Sequence, residues 1–203
     1  MTDIFIQSFA HFKKIHYLCS LLVECLMSKV ESKEDMYAII NTKLILEDSI
    51  IWNGAITFDG DRIVELGRAD EVTIPANAEI IDAKGLYTAP GLVDIHNHGC
   101  PDFLFHENPA AGADFFLRHG ETTILPTFYC NLNLEQMLDG LKKVKEASQS
   151  GAGKILHGLY MEGPYMNGTG SNQKYILWGG DIDPAEYTPL LKELAGYAKI
   201  WAI

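Results

Sequence analysis

The hydrophobic pattern divides the chain into three stretches. In residues 1–35 apolar positions recur at mixed spacing and give way to the polar run Ser28–Asp35. A helix is predicted over residues 11–27, with Phe12, Ile15, Leu18, Leu22 and Leu26 sharing one face. At Met36 the pattern changes. Tyr37–Glu47, Ser49–Phe58 and Arg62–Leu66 are rich in Ile, Val, Thr, Trp and Tyr. They are broken by Asn53-Gly54 and Asp59-Gly60-Asp61, which are turn signals, so these runs read as successive antiparallel strands. Two further short strands, near Glu79–Asp82 and Leu86–Thr88, precede Pro90-Gly91 and close an all-β unit over residues 36–90.

Beyond Pro90-Gly91 the period alternates. The strands Leu92–His96, Thr122–Pro126, Lys154–Met161 and Lys199–Ile203 are separated by helices over Pro109–His119, Leu134–Ser148 and Pro184–Tyr197. Strands alternating with helices of 10–15 residues predict βα units and a parallel sheet over residues 91–203. Asn133, with Gln136 three residues on, has the spacing of a helix-capping box. Arg118-His119-Gly120 reads as a cationic helix end followed by a glycine cap.

Composition narrows the partners. Hydrophobic residues make up 47% and charged residues 21% of the 203 positions, which excludes a wholly disordered chain. A net charge of -11 repels phosphate backbones, so no nucleic-acid partner is expected. The apolar run Ile15–Val23 is bounded by Lys14 and Glu24 and is too short for a bilayer, so no membrane partner is expected either. Lys13-Lys14 ahead of that run imitates a secretory leader, but Glu24 interrupts the run and no small-residue cleavage site follows. Cys19, Cys25, Cys100 and Cys130 form no short-spaced framework, which fits free thiols and a cytoplasmic location.

The candidate chemistry lies in two places. In Leu92-Val93-Asp94-Ile95-His96-Asn97-His98-Gly99, residues i and i+2 of a strand face the same way, so His96 and His98 can offer two imidazoles to one divalent ion. The pair falls at the C-terminal end of the strand, where parallel α/β barrels carry their active sites. Glu162, between the apolar run Leu159–Met161 and Gly163-Pro164, ends the third βα strand with a carboxylate suited to be a third ligand. His106, His119 and His157 have weaker contexts, and His157 reads as a packed side chain. Cys100, two residues after His98, reads as a small buried thiol.

These motifs carry a resemblance. Pro90–Gly99, Gly120-Glu121-Thr122-Thr123-Ile124-Leu125-Pro126-Thr127 and Glu162-Gly163-Pro164 are similar to first-, second- and third-strand signatures of the amidohydrolase superfamily. The Glu-Gly-Pro turn resembles N-acetylglucosamine-6-phosphate deacetylases in particular. The resemblance implies an α/β fold: a TIM-type (β/α) metal-dependent hydrolase barrel beside a β-sandwich portion, with residues 1–35 as an extension. It implies one or two divalent ions (Zn2+ or Fe2+) held by His96, His98 and Glu162, and a small amino-sugar phosphate as substrate. Ser171 and Asn172 are the nearest match to the segment that touches the sugar in that family. Tyr160 stands where the branch commonly has histidine, and the loop Asn167–Asn172 is shorter than the family's.

Length departs from the family too. A full barrel takes roughly 250 residues, whereas residues 91–203 number 113, room for about three and a half units. The expectation is a truncated barrel without the histidines and the proton-moving aspartate of later strands, inactive by itself. Its open edge would pair with a second copy or a complementary C-terminal half. The competing readings are an amidohydrolase acting on a cyclic amide or ureide, and a noncatalytic remnant serving as a binding partner.

Overall fold

The computed structural model describes residues 36–60, 62–166, 174–178 and 182–202. The helix expected over residues 11–27 and the pair Ser171-Asn172 lie outside them. The described residues fall into two compact units, one ending at Gly91 and taking in Arg118–Gly120, the other holding Leu92–Leu117 and the chain from Glu121 on.

The first unit is a five-stranded sheet of β1 (Met36–Ile45), β2 (Ile50–Asp59), β3 (Arg62–Arg68), β4 (Glu79–Asp82) and β5 (Tyr87–Thr88). Its order is β3-β2-β1-β4, with β5 also beside β1. β1, β2 and β3 form the expected antiparallel meander. β4 and β5 run parallel to β1 instead, one behind the other along the same edge. The switch between them sits at Asn41, which has a φ of 52° and interrupts the β1–β2 register. Its side chain donates to Asp82 Oδ1 at 3.0 Å, and its carbonyl accepts from Gly85 N at 2.7 Å. Next along, the buried Thr42 and Thr88 hydroxyls meet at 2.6 Å.

Asn53-Gly54 is not a turn. Both residues lie inside β2, and the chain reverses earlier, where Leu46 N donates to Ser49 O at 2.9 Å. Packing explains the glycine, because a Cβ at Gly54 would stand 2.5 Å from Leu44 Cγ. The core of this sheet includes Tyr37 stacked on Phe58 at 5.2 Å, with Ala38, Ile39 and Ala55 buried around them. Among the described residues the unit shows this one sheet and no second sandwich layer.

The second unit alternates strand and helix: β6 (Leu92–Asn97), α1 (Pro109–Arg118), β7 (Glu121–Tyr129), α2 (Leu134–Ala147), β8 (Leu159–Glu162), α3 (Pro184–Leu194) and β9 (Ala198–Ala202). Its four strands pair in sequence order and all in parallel, the pattern that βα units dictate. β7 is the best-buried strand, and Ile124, Phe128 and Leu159 are at most 1% exposed, as expected for inner strands covered on both faces. Helix α2 starts on the expected capping box. Gln136 N donates to Asn133 Oδ1, and Asn133 N to Gln136 Oε1, both at 2.9 Å. Helix α3 begins at Asp183, whose carboxylate accepts from Ala185 N at 2.8 Å, with Pro184 in the first turn.

The strand expected over Lys154–Met161 is shorter than its apolar run. Gly151–Ile155 is a 3₁₀ turn, Leu156 makes one isolated bridge to Ile124, and Gly158 takes a φ of 139° before β8 begins. Gly153 has no room for a Cβ against the Ala147 carbonyl, which fixes that turn to the end of α2. Among the described residues no helix is long and apolar enough to cross a membrane.

Candidate metal centre

The C-terminal ends of β6, β7 and β8 converge on one point. His96 is the penultimate residue of β6 and His98 lies just past its end, while Glu162 is the last residue of β8. The Nε2 atoms of His96 and His98 lie 3.4 Å and 3.3 Å from Glu162 Oε2. One ligand atom from each of the three residues falls within 4.8 Å of the other two. The imidazole planes stand nearly perpendicular, with centroids 5.3 Å apart, so the nitrogens point inward without stacking the rings.

Glu162 Oε2 is buried and receives no hydrogen bond. The nitrogens at 3.3 and 3.4 Å are close enough for Coulomb attraction but do not satisfy hydrogen-bond geometry. A buried carboxylate oxygen with no donor costs free energy unless something positive meets it. Two nitrogens and one carboxylate oxygen form a donor set that suits a borderline divalent ion such as Zn2+ or Fe2+. The residues therefore fit the group that the sequence implied.

Protonation favours the same role. Burial pushes the His98 imidazole below its ordinary value; Glu162 opposes the shift and His96 adds to it. A depressed value keeps the ring neutral near neutral pH, with a lone pair for a metal. The nearby Thr127 main chain also opposes the shift. Tyr129, whose ring meets His98 edge-on at 5.9 Å, is pushed up to about 12, first by burial and then by its contact with Cys130. It therefore stands as a neutral phenol beside the cluster.

Tyr160, already singled out in the sequence, packs against His96 with ring centroids 4.4 Å apart. It shares a face with Glu162 two residues on. Other contributors had no sequence signal strong enough to single them out. Asp94 accepts from His96 N at 3.0 Å and from Asn97 Nδ2 at 2.8 Å. Asn97 Oδ1 accepts from Gly99 N at 2.9 Å, and Asn97 N donates to Thr127 Oγ1 at 2.9 Å. Gly99, at a φ of 151°, leaves no room for a Cβ against the Phe103 carbonyl.

Other residues stand apart from the cluster. Cys100 is only half-buried, contrary to expectation, because its N–H turns to Phe103 O in the loop after His98. Cys130 is buried, and both described cysteines are free thiols. His106 packs beside Phe128, and the His157 N–H bonds to Ile124 O, so neither joins the metal-ligand group.

The fold has counterparts among solved structures. The N-acetylglucosamine-6-phosphate deacetylase of Pasteurella multocida superposes with a TM-score of 0.63 at 26% identity, covering 82% of this chain and 44% of that one. The chain resembles the amidohydrolase superfamily. Its fold is that of the N-terminal sheet and the first strands of an amidohydrolase barrel, so the resemblance read from the motifs holds. The Mycobacterium smegmatis N-acetyl-D-glucosamine-6-phosphate deacetylase shares this fold, with a TM-score of 0.60 at 21% identity, over 83% of this chain and 47% of its own. By sequence, the dihydroorotase of Clostridioides difficile is 34% identical over 100 residues, 47% of this chain. The match covers 22% of that dihydroorotase, so the chain corresponds to less than half of the length of each of these relatives. No family model matches the chain.

Proposed function

We propose that the His96–His98–Glu162 cluster is the metal centre of an amide hydrolase that removes the acetyl group from an N-acetylated amino-sugar phosphate, giving glucosamine 6-phosphate and acetate. The observation that carries the reading is the buried, donorless Glu162 Oε2 between two imidazole Nε2 atoms. The Pasteurella deacetylase, similar over 82% of the chain, supports the choice of substrate class.

A divalent ion held there would lower the pKa of a coordinated water and polarise the amide carbonyl. His96 and His98 would each bind through Nε2, and Glu162 through Oε2 would offset part of the ion's charge. Tyr160 packs against one side of His96. Tyr129, protonated at neutral pH, keeps its hydroxyl hydrogen as a donor rather than adding a second negative charge.

A second reading, hydrolysis of a cyclic amide or ureide, is favoured by the sequence matches to dihydroorotases, whose local identity is higher than that of the deacetylases. Calorimetric titration of the Zn2+-loaded chain separates the two. N-acetylglucosamine 6-phosphate should bind only when Zn2+ is present and should lose binding in Glu162→Gln. Tighter binding of dihydroorotate, or sugar-phosphate binding indifferent to Zn2+, would overturn the deacetylase reading.

A further inference from the structure

Thr127 lies on β7 at the end of the Gly120–Thr127 motif, faces away from solvent at 4% exposure, and is not part of the ligand set. It nevertheless touches the ligand-bearing backbone. Its hydroxyl accepts from Asn97 N at 2.9 Å. This contact falls where the β6–β7 ladder is broken. Register shifts between Asp94 and Asn97, and Pro126 stands opposite Asn97. At this break the Asn97 amide is held by a side-chain oxygen. The Asp94 carboxylate, on Asn97 Nδ2 and His96 N, then locks the other side of the same residue.

We propose that Thr127 is a positioning residue: with Asp94 and Asn97 it forms a hydrogen-bonded clamp that sets the convergence of His96 and His98, and so the affinity of the site for a divalent ion. This inference rests on the metal-centre reading above. The physical case is that His96 and His98 flank Asn97, so a rotation of that one peptide displaces both Nε2 atoms together. Both imidazoles are more than 40% exposed, so surrounding packing alone does not fix them. Loss of an outer partner that orients a ligating histidine typically costs roughly 10–100-fold in metal affinity.

The test is Co2+ affinity of the full chain, by chelator competition, with the visible absorption of bound Co2+ as a second readout. Thr127→Val keeps the shape and deletes the hydroxyl. It should weaken Co2+ binding by about 10–100-fold and alter the absorption bands, while Thr127→Ser should restore both. Asn97→Ala, at a half-buried position, keeps the N–H that Thr127 holds but removes the side-chain bonds to Asp94 and Gly99; it should weaken binding in the same range, and Thr127→Ala decides the role of the hydroxyl if Thr127→Val does not fold. Wild-type affinity and spectrum in Thr127→Val or in a folded Asn97→Ala, with binding lost in His98→Ala, would overturn the clamp and leave the metal centre standing. Absence of Co2+ binding by the wild type would overturn both.

Discussion

Asn41 in the first unit and Asn97 in the second do the same structural job to different ends. Each stands where a strand loses its register with a neighbour, each bonds an aspartate through its side chain, and each adjoins a threonine hydroxyl held in a hydrogen bond. At Asn41 the polar atoms close on one another: Asn41 with Asp82, Thr42 with Thr88 and with Leu86 O. The result is a sheet edge whose polar groups are spent internally. At Asn97 the same kind of closure aims two imidazoles at a carboxylate oxygen that is left without a donor. A polar cluster at a broken ladder is therefore not a site in itself. The unsatisfied buried atom is what separates the reactive cluster from the structural one.

The largest expected effect tests that distinction directly. Replacing His96 and His98 together by Ala removes two of the three donors. It should reduce divalent-metal affinity by more than the roughly 10–100-fold typical of losing an outer partner. Asn41→Ala should leave metal content unchanged. Zn2+ retained after equilibrium dialysis measures both, and equal retention in wild type and the double variant would remove the metal centre.

The reverse perturbation strikes the first unit. Thr42→Val strands the Thr88 hydroxyl in a buried setting, which should cost about 1–3 kcal/mol in urea unfolding while Zn2+ affinity stays at the wild-type value. Adding Thr88→Val should recover much of that loss, since two apolar partners leave nothing unpaired. A double variant no more stable than the single one would show that the pair acts through something other than its mutual bond. Smaller again is Asn133→Ala, which opens the capping box of α2 and should cost about 1 kcal/mol. No change in unfolding midpoint would mean that packing alone sets where α2 begins.

These sites were unequally legible in the sequence. His96, His98 and Glu162 could be found because strand alternation and a terminal Gly-Pro are local signals, and the structure brings the three together. The capping box was legible for the same reason. Asn53-Gly54 misled because its glycine answers to Leu44 on the neighbouring strand, a contact that pair composition does not contain. The parallel placing of β4 and β5 was hidden because both depend on the left-handed turn at Asn41 in another strand. Thr127 was quoted as part of a motif, yet its role needed the register break between β6 and β7 to be seen.

The smallest expected effect concerns His106, a half-buried histidine that takes no part in the cluster. Burial pushes its imidazole below the ordinary 6.5; the neighbouring Lys143 adds to the shift and Glu107 opposes it. Lys143 is itself paired with Asp139 at 2.8 Å, and on the other side the ring meets Phe128 rather than a charge. A histidine whose folded value is depressed is protonated first in the unfolded chain. Its contribution to stability is therefore present above about pH 6.5 and is lost as pH falls from there through the folded value. His98 carries a shift of the same sign, so the informative quantity is the difference between wild type and His106→Asn. The variant should lose less stability than wild type between neutral pH and pH 5, in chelator-treated samples compared by urea unfolding. Parallel curves for the two proteins would mean that solvent reaches the His106 ring well enough to cancel the effect of burial.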